Sequence, residues 1–169
     1  MKYRHTNLVA QDWRELATFY ERSLGCRRIG PERSLSGRAL SLGTGIRDAA
    51  LEGVHLLLPG YGESGPTLEI FQYATGESNL PPQANRKGLG HIAFEVESVE
   101  AATQAVLLNG GSRVGEICSI EVEGAGVVTF AYLADPEGNL IELQSWNETG
   151  KGPGSMGESG EGALDESRR

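Results

Sequence analysis

The sequence has little of what marks a membrane, secreted or nucleic-acid-binding protein. No apolar run approaches the roughly 20 residues of a membrane span, and the segment after Met1 lacks the apolar stretch of a signal peptide. The 169 residues include only two cysteines, Cys26 and Cys118, and these form no C-x-x-C pair. The net charge of −8 argues against a nucleic acid or an anionic membrane as partner, because both require a concentrated positive field. We therefore expect a cytoplasmic protein with two packing thiols that binds neither nucleic acid nor a membrane.

The C-terminal segment lacks the apolar residues that a packed core needs. Residues 147–169 are rich in Gly, Ser and Glu, and only Met156, Ala163 and Leu164 are apolar. Such a composition cannot bury enough surface to offset the entropy of ordering the chain. We predict one folded domain over residues 1–146, followed by a flexible tail over 147–169.

The predicted domain contains an internal repeat. Gly25 lies twenty residues after His5, and Gly111 lies twenty residues after His91, with an amphipathic helix pattern between the members of each pair. Both copies end in similar strand-like runs, at residues 68–73 and 141–146. The repeat places module one at about residues 3–74 and module two at about 88–146.

Each module reads as a strand, a helix and three further strands. The expected elements are 3–10, 12–24, 26–31, 51–58 and 66–74 in module one, and 88–97, 98–109, 112–119, 126–134 and 139–146 in module two. Module one carries extra residues, which we place between Pro31 and Arg47. The expected fold class is α+β, with aliphatic strand faces packed under the helices.

Side-chain alternation along the strands gathers polar and aromatic residues on the face opposite the helices. Two of the three histidines occupy the matching position of the two repeats, and two glutamates occupy the matching position of the two closing strands. This face carries His5, Glu69, His91 and Glu142, with Asn7, Phe71, Tyr73 and Trp146 as candidate substrate-pocket residues. The third histidine, His55, has no repeat counterpart and is interpreted as a strand residue rather than a ligand.

Two imidazoles and two carboxylates form an N₂O₂ donor set for a divalent cation. One or two further coordination positions would then be available for water or substrate. The ligand types suit Ni²⁺, Co²⁺, Mn²⁺, Fe²⁺ or Zn²⁺ and do not choose among them. We predict a metal site at His5, Glu69, His91 and Glu142.

The sequence resembles the vicinal oxygen chelate superfamily, which includes glyoxalase I, methylmalonyl-CoA epimerase, extradiol dioxygenases, and fosfomycin and bleomycin resistance proteins. The matching segments are His5-Thr6, Phe19-Tyr20-x-x-x-Leu24-Gly25, Gly90-His91-Ile92-Ala93-Phe94, Asn109-Gly110-Gly111 and Asp135-Pro136-x-Gly138-x-x-x-Glu142-Leu143. The resemblance implies paired βαβββ modules that form a cupped mixed sheet with helices on its outer face. It also implies one metal ion held at the same four positions, often in a homodimer.

Within the superfamily, the resemblance is nearest to glyoxalase I. Ring-cleaving and fosfomycin-modifying members generally lack a carboxylate on the last strand of module one, so Glu69 favours the isomerase and lyase branch. The epimerase typically has Gln there, whereas bacterial glyoxalase I has Glu. Bacterial glyoxalase I usually has Arg four residues after the first His, where this chain has Val9, and this difference argues against glutathione recognition.

The resulting hypothesis is a metal-dependent lyase or isomerase acting on a small substrate with vicinal oxygens. The metal would stabilise an enediolate, and a carboxylate would transfer the proton, with Glu142 the first choice for the base and Glu69 the second. Three alternatives stay open: an acyl-CoA epimerase, an extradiol dioxygenase, and a non-catalytic drug-binding protein.

Overall fold

The computed structural model describes residues 1–76, 81 and 83–147. The elements of its first module are β1 (His5–Val9), α1 (Trp13–Leu24), β2 (Arg27–Ser36), α2 (Arg38–Thr44), β3 (Ala50–Leu57), a 3-10 turn (Gly62–Ser64) and β4 (Thr67–Tyr73). The strands form a mixed sheet in the order β1-β4-β3-β2, in which β1 runs parallel to β4 and the other neighbours are antiparallel.

The second module repeats this plan with one strand divided in two. Its elements are β5 (Ile92–Glu95), α3 (Val99–Leu108), β6 (Ser112–Arg113), β7 (Cys118–Val122), β8 (Gly126–Ala134) and β9 (Leu140–Asn147). The sheet has the order β5-β9-β8-β6, with β7 also pairing with β8, and β5 runs parallel to β9. The predicted α+β class with paired βαβββ modules is confirmed.

Local signals explain where the two long helices begin. The Asp12 carboxylate accepts hydrogen bonds from the backbone N–H groups of Arg14 and Glu15, and the Ser98 hydroxyl accepts one from the N–H of Ala101. These contacts satisfy donors that the first helical turn leaves unpaired. Helix α1 then ends at Gly25, whose φ of 67° suits a residue without a Cβ.

Two predicted strands differ from the structure. Strand β2 runs through Pro31 to Ser36 instead of ending at residue 31, with a register shift between Ile29 and Arg33, and α2 occupies most of the remaining insertion. The predicted strand 112–119 is divided into β6 and β7. The backbone N–H groups of Val114 and Gly115 both donate to the Tyr132 carbonyl, and this shared acceptor interrupts the regular ladder.

The modules share one hydrophobic core on their helix-covered faces. Helix α1 packs on β3 and β4, α3 packs on β8 and β9, and the two helices contact each other. The Tyr20 hydroxyl of α1 donates to Asp135 Oδ2 at 3.0 Å in the β8–β9 turn. The Glu137 carboxylate of that turn accepts from the N–H groups of Gln11 and Asp12, at 2.7 and 2.9 Å. The start of α1 is therefore fixed to module two.

The structure bears on three further expectations, which concern the cysteines, the C-terminal tail and membrane spans. Cys26 is buried, but Cys118 is exposed because it lies on β7, whose residues are all solvent-accessible, so the expectation of two packing thiols is wrong for Cys118. The predicted tail lies outside the described residues, apart from Asn147 at the end of β9. Within the described part of the chain, no helix is long and apolar enough to cross a membrane.

Candidate metal centre

The first candidate ligand pair lies on the face of module one that the helices leave open. His5 and Asn7 are exposed on β1, whereas Leu8 is buried, as the alternation predicted. Glu69 on β4 lies opposite Asn7 in the β1–β4 register. Its Oε2 atom lies 3.3 Å from His5 Nε2, and only 12% of the Glu69 side chain is exposed. We refer to His5 and Glu69 as pair one.

The second pair lies at the equivalent place in module two. His91 immediately precedes β5, and Glu142 lies on β9 opposite Ala93. His91 Nε2 lies 2.8 Å from Glu142 Oε2, and the Glu142 side chain is 16% exposed. We refer to His91 and Glu142 as pair two. The internal repeat thus gives each module one imidazole beside one half-buried carboxylate.

The geometry within each pair fits two neighbouring ligands of one cation. Metal–ligand bonds of about 2.1 Å place ligands about 3.0 Å apart at right angles and about 3.4 Å apart in a tetrahedron. The observed separations of 3.3 and 2.8 Å lie close to this range. Within residues 1–76, 81 and 83–147, no group of three or more His, Cys, Asp or Glu is placed to hold a metal. The described chain therefore presents two separate His–Glu pairs.

His55 is the residue at this centre that the sequence analysis missed. It lies directly opposite Glu69 in the β3–β4 register, and its Nε2 atom lies 3.1 Å from Glu69 Oε1. The equivalent position in module two is Tyr132, which lies opposite Glu142 in the β8–β9 register. His55 therefore does have a repeat counterpart, but the two residues differ in type and only the strand registers identify them.

The protein environment shifts the pKa values of His55 and Tyr132. Burial lowers the pKa of His55, while the charge of Glu69 acts in the opposite direction and Arg33 adds to the lowering. Burial raises the pKa of Tyr132, and the charge of Glu142 raises it further. The Tyr132 phenol is therefore protonated at neutral pH, with its ring 5.1 Å from the His91 ring between centroids.

The four candidate pocket residues lie at different distances from the pairs. Asn7 lies beside Glu69, and Phe71 lies two residues further along β4, with its ring 5.9 Å from the His55 ring. Tyr73 instead lines a cleft of about 520 Å³ near the end of β4, with Arg14 and Leu35. Trp146 lies four residues beyond Glu142, which is about 13 Å along β9.

The strand order and the paired βαβββ modules are those of the vicinal oxygen chelate fold. A family model described as the glyoxalase/bleomycin resistance protein/dioxygenase superfamily matches residues 2–143. The chain belongs to this superfamily.

The chain is also similar in sequence to individual characterised enzymes of the superfamily. The chain is 25% identical over 159 residues to the lactoylglutathione lyases of Shigella flexneri and Salmonella typhi. Each alignment covers 92% of this chain and 100% of the relative. The similarity therefore extends over both modules.

Solved structures of low identity share the fold. A glyoxalase family protein from Bacillus cereus superposes with a TM-score of 0.65 at 19% identity, covering 86% of this chain and 93% of that one. A fosfomycin resistance protein from Listeria monocytogenes, solved in complex with Mn(II), gives a TM-score of 0.53 at 18% identity. It covers 86% of this chain and 93% of that structure.

Proposed function

We propose that the protein is a divalent-metal-dependent lyase or isomerase of the glyoxalase type. The observation that carries this proposal is the pair of half-buried His–Glu contacts at equivalent positions of the two modules. Similarity to lactoylglutathione lyases over both modules supports it. The substrate would be a small molecule with two neighbouring oxygen atoms.

In this proposal His5, Glu69, His91 and Glu142 hold one ion. A bound Ni²⁺, Co²⁺, Mn²⁺, Fe²⁺ or Zn²⁺ would act as a Lewis acid that stabilises negative charge developing on the substrate oxygens. Each pair supplies only two protein ligands, fewer than the four to six that these ions take. Both pairs are therefore needed, and we propose that a homodimer brings module one of one copy against module two of the other.

Proton transfer would be the task of a carboxylate. A glutamate beside the reacting carbon can take the proton next to a carbonyl and return it to the neighbouring carbon or to the other face. Glu142 and Glu69 are the two candidates, and both are largely shielded from solvent. Asn7 and Phe71 lie close enough to pair one to contact the substrate.

The group that carries the substrate is a separate question. Val9 lies on the open face of β1 and is 54% exposed. Its methyl groups cannot form the ion pair that a cationic side chain at this position would form with a carboxylate of glutathione. This residue does not favour glutathione as the carrier. The proposal therefore covers carriers other than glutathione, such as another thiol or coenzyme A.

The proposal is tested by proton exchange in ²H₂O with the metal-loaded protein. Thiol hemithioacetals of 2-oxoaldehydes and 2-methyl-branched acyl-CoA esters are supplied in parallel and followed by NMR. Conversion of a hemithioacetal to a 2-hydroxy thioester supports the lyase, and inversion of the acyl-CoA centre would indicate the epimerase instead. Oxygen uptake with a catechol would indicate a dioxygenase. Tight binding of bleomycin without any conversion would indicate a binding protein.

A further inference from the structure

The two carboxylates of the candidate centre have different neighbours. Both oxygens of Glu69 face imidazoles, since His5 Nε2 lies 3.3 Å from Oε2 and His55 Nε2 lies 3.1 Å from Oε1. In the described part of the chain, Glu142 has an imidazole only at Oε2, from His91 at 2.8 Å. The equivalent of His55 beside Glu142 is the Tyr132 phenol.

The His55 ring is held in place by its surroundings. It lies on β3 between the neighbouring strands β2 and β4, and its side chain is only 21% exposed. Its ring meets the Phe71 ring edge to face. Phe71 can lie there because Gly53 has no side chain, since a Cβ at Gly53 would come within 2.5 Å of Phe71 Cδ1. The N–H donor opposite Glu69 is therefore preorganised by packing.

We propose that His55 is a positioning residue that holds Glu69 as a metal ligand. Its Nε2–H group donates to Oε1 and leaves Oε2, on the His5 side, to face the ion. A ligating carboxylate that is hydrogen-bonded in this way loses orientational freedom, and such partners are typically worth ten- to a hundredfold in metal affinity. In the part of the chain that the structure describes, no second imidazole faces Glu142, so Glu142 is the carboxylate that can move to take a proton. This inference rests on the proposed metal-dependent function.

The test is a Co²⁺ titration of the full-length protein, followed by the visible absorption of the bound ion. In His55→Phe the ring still packs against Phe71, but the N–H donor is lost, and we expect the Co²⁺ dissociation constant to rise about ten- to a hundredfold. The absorption band should also shift, because the orientation of Glu69 changes. His55→Gln restores an N–H donor and should recover most of the affinity.

Glu121→Gln on the exposed strand β7, outside both pairs, serves as the control, and we expect it to bind Co²⁺ as the wild type does. Wild-type affinity and spectrum in His55→Phe would overturn the inference while leaving the proposed function in place. Weak Co²⁺ binding in both His55→Phe and His55→Gln would also overturn the inference. The shape of the imidazole ring, and not its N–H donor, would then be responsible for the affinity. Failure of the wild type to bind Co²⁺ would overturn both. If His55→Phe does not fold, His55→Leu replaces it in the same comparison.

Discussion

Glu69 and Glu142 are the residues on which the proposed chemistry depends. They were predicted from the sequence because they occupy matching positions of the two repeats, and strand alternation placed both on the open face. The sequence could not reveal His55 as the neighbour of Glu69. Its relation to Glu69 depends on the β3–β4 register, and its counterpart Tyr132 has a different side chain.

Replacement of either glutamate by glutamine tests the carboxylate chemistry. Glutamine keeps the shape of the side chain but cannot accept the proton, so Glu142→Gln should lower turnover by at least about a hundredfold. Glu69→Gln should also lower turnover strongly, through weaker metal binding. Turnover of the identified substrate is compared at saturating metal, with Glu121→Gln on the exposed strand β7 as the control. Wild-type rates in both site variants would contradict the assignment.

The Tyr20 hydroxyl forms a hydrogen bond between the two modules. Its side chain is fully buried and donates to Asp135 Oδ2 at 3.0 Å. Tyr20→Phe removes the donor and leaves a buried acceptor with one partner fewer, so we expect the free energy of unfolding to fall by about 1–3 kcal/mol. Urea denaturation measures this change. Tyr61→Phe, at a side chain that is 64% exposed, should leave it unaltered.

At the scale of elements, local sequence signals located the two long helices and most strands, whereas helix α2 was not predicted. The helices predicted over 12–24 and 98–109 begin where the Asp12 and Ser98 side chains cap them, because a cap acts on its neighbours in the chain. Strand β2 and the split between β6 and β7 were predicted less well. The carbonyl of Tyr132, which interrupts the ladder at Val114 and Gly115, is distant in sequence from both.

The β8–β9 turn predicts a particular pH dependence of stability. Burial raises the pKa of Asp135, although hydrogen bonds from Asn139, Tyr20 and the Glu137 N–H act in the opposite direction. The folded state therefore holds the Asp135 proton more tightly than the unfolded state does. The contribution of this group to stability is present below the unfolded pKa of about 4 and is lost as pH rises through the folded pKa.

Comparison with Asp135→Asn isolates this effect. The free energy of unfolding of the wild type, relative to that of the variant, should decrease as the pH rises from about 4 towards neutrality. Urea denaturation at several pH values provides the measurement. A wild-type advantage that grows with pH would show that the folded protein favours the ionised carboxylate, contrary to this prediction.

At the scale of the whole molecule, the internal repeat explains the two-module fold. It does not determine whether two copies of the chain form a dimer. The sequence predicted two βαβββ modules, and the structure joins them through α1, α3 and the β8–β9 turn. Contacts between copies of a chain depend on surfaces that no sequence pattern defines. The division of the chain into a domain over 1–146 and a tail, and the cytoplasmic location, stay predictions.

Mixing two inactive variants tests whether the site forms between two chains. His5→Ala damages pair one and His91→Ala damages pair two. If module one of each copy faces module two of the other, a mixed dimer contains one site with both lesions and one intact site. We expect turnover to return after the variants are denatured and refolded together. No recovery, with mixed dimers demonstrated by mass spectrometry, would place each site within a single chain.

The metal content of the purified protein tests the central claim most directly. Elemental analysis should find about one transition ion per chain in the wild type, as expected for one N₂O₂ site per pair of modules. His5→Ala and Glu142→Ala, one from each pair, should both lose it while remaining folded by circular dichroism. A wild type that binds no ion after reconstitution with Ni²⁺, Co²⁺, Mn²⁺ or Zn²⁺, or variants that both retain one, would contradict the account.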